Sequence, residues 1–414
     1  MDSDAALLAH PRSALEAALA GSGRTLREWR LNRVEASGGG RLMGFDVDLD
    51  LDAGGSESAL VFLDTGDRPV DTERVRVLHR PEGGRPVRAW VYPQDPYLPA
   101  LPAATVPEAA AVLLARLGAP LAGTPALEVL SYRPGKRAVV KVTEGGRDRG
   151  YLKIVQPELA SHIAALHEAF LDAEVPVPRV LAWSRDGLLL LEALPGTPAA
   201  SRIAQVCGSD AFLDELDGLR RLVERVTWAE AARPGAVERR DWYRDALCEA
   251  LPARAERVAA VFARLERSLA RHPEPAPTTV HRDLHLDQVL VDQDHPDRIV
   301  GLIDIDTAGL GDPRSDTGGL LAHLAVLAHW HRDHGREEAA SAERLGEAIL
   351  ARERDPRGLA PVLAANLLAH ALSAALGGAD GDERALALIE DAEGALRVDE
   401  SPLIPVSSAA HLAP

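Results

Sequence analysis

His281, Arg282, Asp283 and Leu284 open the stretch HRDLHLDQVLVD, and Gln288 stands five positions after the aspartate. The spacing matches a loop pattern used for phosphoryl transfer, in which an amide residue follows the Asp by five places, except that the pattern has Asn where this chain has Gln. That chemistry asks a protein mainly to position reactants and spread charge: a lysine on the phosphates, oxygen donors for a divalent cation, and a carboxylate that orients the attacking hydroxyl. Each has a candidate in the expected order: Lys153 in YLKIV, Asp283 in the loop, and Asp304 at the end of RIVGLIDID. Asp283 would face the acceptor hydroxyl, taking its proton late or only holding it in line. Asp304 and Asp306 alternate with Ile303 and Ile305, so as strand residues both carboxylates share a face and need a cation between them. Lys141 in AVVKV is the rival lysine, expected to be solvated. A second HRD, His331 to Asp333, has Glu338 at the amide position and no strand after it, so it reads as a helix end and turn. The neighbouring His329, His331 and His334 read as surface histidines rather than metal ligands.

Strands must hold these groups. ALEVLSYRPGKRAVVKVTEGGRDRGYLKIV, Ala126 to Val155, reads as three antiparallel strands turned at Pro134-Gly135 and between Glu144 and Gly150. A helix from about Pro157 follows, then two strands in VPVPRVLAWSRDGLLLLEALPG. QVLV and RIVGLIDID form a hairpin about a turn at Asp294 to Asp297, and the rest of the chain beyond Gly196 is helical, with apolar faces such as Leu216, Leu219, Leu222, Val223 and Val226. Upstream, the chain reads as a module with helix first and strands after, in FDVDLDLD, SALVFLD, RVRVLHR and PVRAWVYP. In FDVDLDLD the apolar residues face a core and four Asp face water; a calcium loop is disfavoured because its sixth position, which should be Gly, is Leu51. The Pro-rich YPQDPYLPALPAATVPEAA marks a boundary, and Thr105 with Glu108 makes a capping-box pattern for a helix that Gly118 ends. The expected division is a cap at 1–104, a sheet lobe at 105–195 and a helical lobe at 196–414.

With 63 acidic and 46 basic residues the formal charge is -17, which argues against nucleic acid and an anionic membrane surface and favours a neutral or cationic small ligand. The N-terminal stretch has two Asp before any basic residue and no unbroken apolar run, and no later segment reads as a membrane span, so a cytoplasmic location is expected. Cys207 and Cys248 offer neither a disulfide framework nor metal-type spacing. Lysine occurs only at Lys136, Lys141 and Lys153, so each retained lysine points to a place that needs a compact ammonium rather than a guanidinium. Nothing in the pattern bears on oligomeric state.

Sheet first and helices second, with an acidic loop inside the helical half, is the order of an α+β, two-lobed protein-kinase-like fold. From about Ala126 to the C-terminus the chain resembles the aminoglycoside phosphotransferase group of small-molecule kinases, on His281-Arg282-Asp283, Gln288, Ile303-Asp304, Gly311-Asp312-Pro313 and Asp316. The resemblance implies an ATP-dependent phosphotransferase using Mg2+. In it Asp283 is the catalytic carboxylate, Gln288 and Asp304 hold the metal, and Lys153 holds the phosphates. Glu192, Ala193 and Leu194 form the hinge that meets adenine, His281, Asp306 and Asp316 take supporting positions, and Glu168 or Glu158 pairs with Lys153. The nucleotide turn SYRPGKRAV carries one Gly. Asp316 follows Asp304 by only twelve positions, which leaves no room for the long activation segment of protein kinases, so the acceptor is a small polar molecule with a hydroxyl. The form His-x-Asp-Leu-His-Leu-x-Gln and a strand-rich cap are similar to bacterial maltokinases, and the expected acceptor is a sugar or amino sugar, with an aminoglycoside-type antibiotic second. Trp242 and Tyr243 read as core residues, with stacking on an acceptor as the other reading. A different class of function is a catalytically weak nucleotide-binding regulator acting through the cap; the presence of Lys153, Asp283 and Asp304 together weighs against it.

Overall fold

A computed structural model describes residues 3–70, 75–78, 86–378 and 380–400. The chain divides into two compact units, Met1–Ala165 with Arg179–Ala193, and Leu166–Pro178 with Leu194–Pro414.

The first unit begins with helices α1 (Ser3–Ala9) and α2 (Arg12–Leu19). Strands β1 (Arg24–Ser37), β2 (Gly40–Leu51), β3 (Ser56–Asp64), β4 (Arg76–Leu78) and β5 (Val87–Val91) then form an antiparallel sheet in the order β1-β2-β3-β5-β4. Phe45, Val47 and Leu49 of β2 are buried with Leu15 and Leu19 of α2, as the alternation requires. The acidic face of β2 is balanced across the sheet: Asp46 lies 2.8 Å from Arg30, and Ser58 donates to Asp48 at 2.7 Å. β1 has no counterpart in the sequence reading, and of RVRVLHR only Val75 to Leu78 falls within the described residues.

The unit continues with α3 (Leu101–Ala104), α4 (Pro107–Arg116), β6 (Ala126–Arg133), β7 (Arg137–Glu144), β8 (Arg147–Val155), α5 (Pro157–Asp172), β9 (Val180–Ser184) and β10 (Leu188–Leu191). The second sheet runs β6-β7-β8-β10-β9. The Pro-rich segment is not a loose boundary: Leu98, Leu101 and Ala104 are fully buried in one cluster with Val140, Leu152 and Ile154 of that sheet. Nor does Thr105 cap α4. Its hydroxyl donates back to Leu101 O at 3.1 Å, because Pro107 opens the helix and shifts the cap position to Val106.

The second unit takes the end of α5 and adds β11 (Thr197–Pro198), α6 (Ile203–Val206), α7 (Asp210–Glu224), α8 (Arg240–Ala250), α9 (Ala255–Arg271), β12 (Thr278–Val280), β13 (Val289–Val291), β14 (Ile299–Leu302) and β15 (Gly309–Gly311). Helices α10 (Arg314–Asp333), α11 (Glu338–Arg352), α12 (Pro356–Ala375) and α13 (Gly381–Glu400) complete it. Leu166, Phe170, Val175 and Val177, which the sequence assigned to the sheet lobe, are buried here with Phe212, Leu216 and Leu219 of α7. The short sheets β11-β13-β14 and β12-β15 carry the acidic loops. Contrary to the sequence reading, α12 is long and apolar enough to cross a membrane, with a mean hydropathy of 1.5; 61% of that window is buried, and the helix packs against α8, α9, α10 and α13. The second HRD does end α10 and His334 is exposed as expected, but His331 is buried and His329 Nε2 lies 2.7 Å from Asp391. Both cysteines are free thiols.

Candidate active site

β12 delivers the chain to His281, and Asp316 in the first turn of α10 receives it. The Asp316 carboxylate, 5% exposed, accepts from the backbone N–H of His281 and of Arg282, both at 2.8 Å. Arg282 has φ +76°, a left-handed conformation that costs a non-glycine residue about 1 kcal/mol or more. Its side chain offsets this by donating to Arg233 O and Ser315 Oγ, each at 2.9 Å, and by pairing with Glu238. The reversal presents Asp283, whose side chain is 49% exposed, while Leu284 and Leu286 on either side of His285 are buried and anchor the loop.

The β13–β14 hairpin brings the next groups to the same place. Val289 pairs with Leu302, and Ile303 N–H donates to Gln288 O at 3.0 Å, so Gln288 and Asp304 flank one end of the hairpin. Gln288 is 4% exposed; its Nε2 donates to Asp283 Oδ2 at 3.3 Å, which leaves Oε1 buried without a hydrogen bond. A buried amide oxygen without a donor is costly, and a hard amide oxygen is the donor type that Mg2+ takes. Gln288 and Asp304 therefore fit a magnesium ion. The strand-face argument for Asp304 and Asp306 does not hold: β14 stops at Leu302, Asp304 turns left-handed at φ 59°, and Ile305–Thr307 is one 3-10 turn. His281, fully buried, joins the two loops, with Nε2 3.1 Å from Ile303 O and its own carbonyl accepting from Thr307 Oγ1 at 3.1 Å.

Three further histidines stand beside Asp283. His323 of α10 stacks on His285 with ring centroids 4.5 Å apart and meets His370 of α12 edge-on, also at 4.5 Å. His323 Nε2 is 4.0 Å from Asp283 Oδ1. Burial pushes His323 down to about 3, reinforced by the charges of His370 and His285, and burial lowers His370 as well. Both rings are thus neutral at physiological pH. A cavity of about 340 Å3 opens against His285, Asp287, His323 and Trp330. The sequence reading gave these residues no role, although a signal existed: His370 interrupts an Ala/Leu-rich helix, and His323 lies two helical turns after Asp316.

In the first unit Lys153 sits on β8, the central strand of its sheet, paired with Val139 and Leu189, and is 5% exposed. Lys141 is the solvated one, 2.9 Å from Asp148. Of the lysine's candidate partners, Glu158 and Glu168 are both exposed. The chain passes from one unit to the other between Ala193 and Leu194, and Glu192 N–H donates to Arg179 O at 2.9 Å. Glu192, Ala193 and Leu194 are half-buried. Trp242 is not a core residue: it is 53% exposed under the Arg239 guanidinium, 4.4 Å from its ring, while Tyr243 packs inward.

The chain matches the family described as phosphotransferase enzyme family over residues 132–362. Similar solved structures include a thermostable mutant of aminoglycoside phosphotransferase APH(4)-Ia in ternary complex with ADP and hygromycin B, 18% identical over 70% of this chain and 98% of the other, TM-score 0.46. A choline/ethanolamine kinase family protein from Mesorhizobium loti is 20% identical over 70% and 95%, TM-score 0.47. Aminoglycoside phosphotransferase APH(3'')-Id from Streptomyces rimosus is 21% identical over 62% and 99%, TM-score 0.40. No curated protein matches. Since the family match spans more than half the chain and encloses Lys153, the Asp283 loop and the Asp304 hairpin, the chain belongs to the phosphotransferase enzyme family and is a small-molecule kinase with a hydroxyl acceptor.

Proposed function

We propose that this kinase moves the γ-phosphoryl group of ATP to a hydroxyl of a sugar or amino sugar, with Asp283 as the catalytic carboxylate. The observation that carries the reading is the Asp283–Gln288 pair: an exposed carboxylate on a loop held by Asp316, beside a buried amide oxygen without a hydrogen bond. Asp283 accepts the proton of the acceptor hydroxyl as its oxygen bonds to the γ-phosphorus. The bond from that phosphorus to the β–γ bridging oxygen breaks, and ADP leaves with the electron pair. Lys153 holds the phosphates; Gln288 and Asp304 would hold Mg2+, which supplies charge neutralisation when bound. Asp316 keeps the loop in its left-handed turn and takes no part in proton transfer. Glu192 to Leu194 offer backbone groups to the adenine.

The acceptor class is supported by the cavity at His323, whose Nε2 lies 4.0 Å from Asp283 Oδ1. His323 presents a neutral ring to the cavity, His285 lines it beside that ring, and among its described lining residues Asp287 is the one carboxylate. One carboxylate matches at most one ammonium, which ranks a sugar or amino sugar ahead of a multiply charged aminoglycoside. The test is a panel of sugars, amino sugars and aminoglycosides incubated with Mg-ATP and read by mass spectrometry. A phosphorylated sugar whose formation collapses in Asp283→Asn and Asp304→Asn is the expected result. ATP binding with no acceptor phosphorylated across the panel would overturn it in favour of a nucleotide-binding regulator.

A further inference from the structure

The family match begins at residue 132, yet the turn that follows, Arg133 to Lys136 between β6 and β7, is held by side chains that lie upstream of it. Asp95 is 2% exposed and uses both carboxylate oxygens as acceptors: Oδ1 from Tyr97 N–H at 2.9 Å, Oδ2 from Gly135 N–H at 2.6 Å and from the Tyr132 hydroxyl at 2.9 Å. At the next peptide, Gly135 O accepts from Arg68 Nη1 at 3.0 Å, and also from Gln156 at 2.7 Å. Arg68 is itself seated on the Tyr97 ring, 3.9 Å from its centroid. A third tie is Lys136 Nζ to Glu35 Oε2 of β1, at 2.6 Å.

We infer that the N-terminal module is a positioning device for the nucleotide turn, with Asp95 as the residue that holds Gly135 in the conformation the ATP phosphates meet. The inference rests on the proposed role of the turn SYRPGKRAV. Gly135 has φ +66°, so the turn is made by a residue with little conformational preference of its own, and a turn of that kind is ordered by its partners. In a loop that must close on phosphates, fixing it beforehand removes an ordering cost from nucleotide binding. Burial raises the Asp95 carboxyl pKa while the N–H groups of Gly135 and Tyr97 and the Tyr132 hydroxyl lower it, so its ionised form and the docked turn support each other. Asparagine cannot replace it: with both oxygens receiving donors, an amide NH2 must face an N–H or O–H whichever way it is turned.

Asp95→Asn is expected to raise KM for ATP about tenfold, the size of one lost charge-assisted hydrogen bond, with kcat within about twofold. Amide hydrogen exchange at Gly135, measured without nucleotide, should speed up in the same variant. Arg68→Ala, which removes the donor to Gly135 O and the seat on Tyr97, and Tyr132→Phe, which removes one hydroxyl, leave Asp95 in place; they should show smaller shifts in the same direction and cover the case in which Asp95→Asn fails to fold. Unchanged exchange at Gly135 in all three variants overturns the positioning role. Faster exchange with KM for ATP unmoved also overturns it, because the turn would then be clamped but away from the nucleotide. Failure of the proposed function is separate: it shows as no phosphorylated acceptor in the wild type, while the exchange readout still reports the clamp.

Discussion

At position 288 the residue scale decides between two readings of one amide. Gln288 is buried, touches Asp283 through Nε2 and keeps Oε1 without a donor, so it acts either as an oxygen ligand or as a prop for the carboxylate. Asparagine offers the same amide oxygen on a stem one methylene shorter, and alanine offers none. Gln288→Ala should raise the Mg2+ concentration for half-maximal activity by roughly 10–100-fold, and Gln288→Asn by clearly less. Equal losses would exclude the ligand role. The neighbouring brace has its own signature. Asp316 receives two backbone N–H groups, and in Asp316→Asn one end of the side chain would set NH2 against a donor. A loss of about 1–3 kcal/mol in urea unfolding is expected, and a stability equal to wild type would show that the loop holds its left-handed turn at Arg282 without the carboxylate.

At the scale of elements, legibility followed local punctuation. β6 to β8 and the β13–β14 hairpin could be read because Pro134-Gly135, Gly145-Gly146 and Asp294 to Asp297 mark their turns, and the groups they carry are close in sequence. β1 could not, since its charged residues fall on both faces and only Leu26 and Ser37 are buried. The alternation that put Asp304 and Asp306 on one face was real as a pattern but ran past the strand's end. His323 and His370 were missed for another reason: their positions are marked in the sequence, but they come from two helices that only tertiary packing brings together beside Asp283. That packing predicts a pH dependence. His323 sits at about 3 in the fold against ~6.5 in the unfolded chain. Between those values the unfolded chain holds a proton that the folded one lacks, so stability carries no penalty above pH ~6.5 and falls as pH drops through the window. With the side chain 33% exposed, solvent screening limits the slope to ~1 kcal/mol per pH unit or less. His370, also lowered, acts with the same sign. Urea midpoints at pH 7, 6 and 5 should converge less steeply in His323→Gln than in wild type; parallel slopes would remove the ring from the account.

On the scale of the molecule, the sequence divided the chain at residue 104, where proline and alanine replace the alternating strands, and composition does mark that place. Packing runs across it. Leu98 and Leu101 are fully exposed to no solvent at all, and they lie in one core with Val140 and Leu152 of the β6-to-β10 sheet, so the residues before the boundary supply part of the core of the sheet after it. A chain started at Thr105 would leave that sheet face without its apolar cover. Single truncations give the size of the effect: Leu101→Ala removes a buried leucine from a close-packed site and should cost about 2–5 kcal/mol in urea unfolding. A surface change in the cap sheet, Arg30→Ala, breaks an ion pair whose arginine is 81% exposed and should cost little by comparison. If the module were a bead joined by a linker, Leu101→Ala would be nearly neutral and a chain begun at Thr105 would keep amide protection in β6 to β10 by hydrogen exchange. The expected outcome is the reverse, a large loss for Leu101→Ala and, in the shortened chain, loss of amide protection in β6 to β10 by hydrogen exchange, because the core that carries Lys153's strand is completed from upstream.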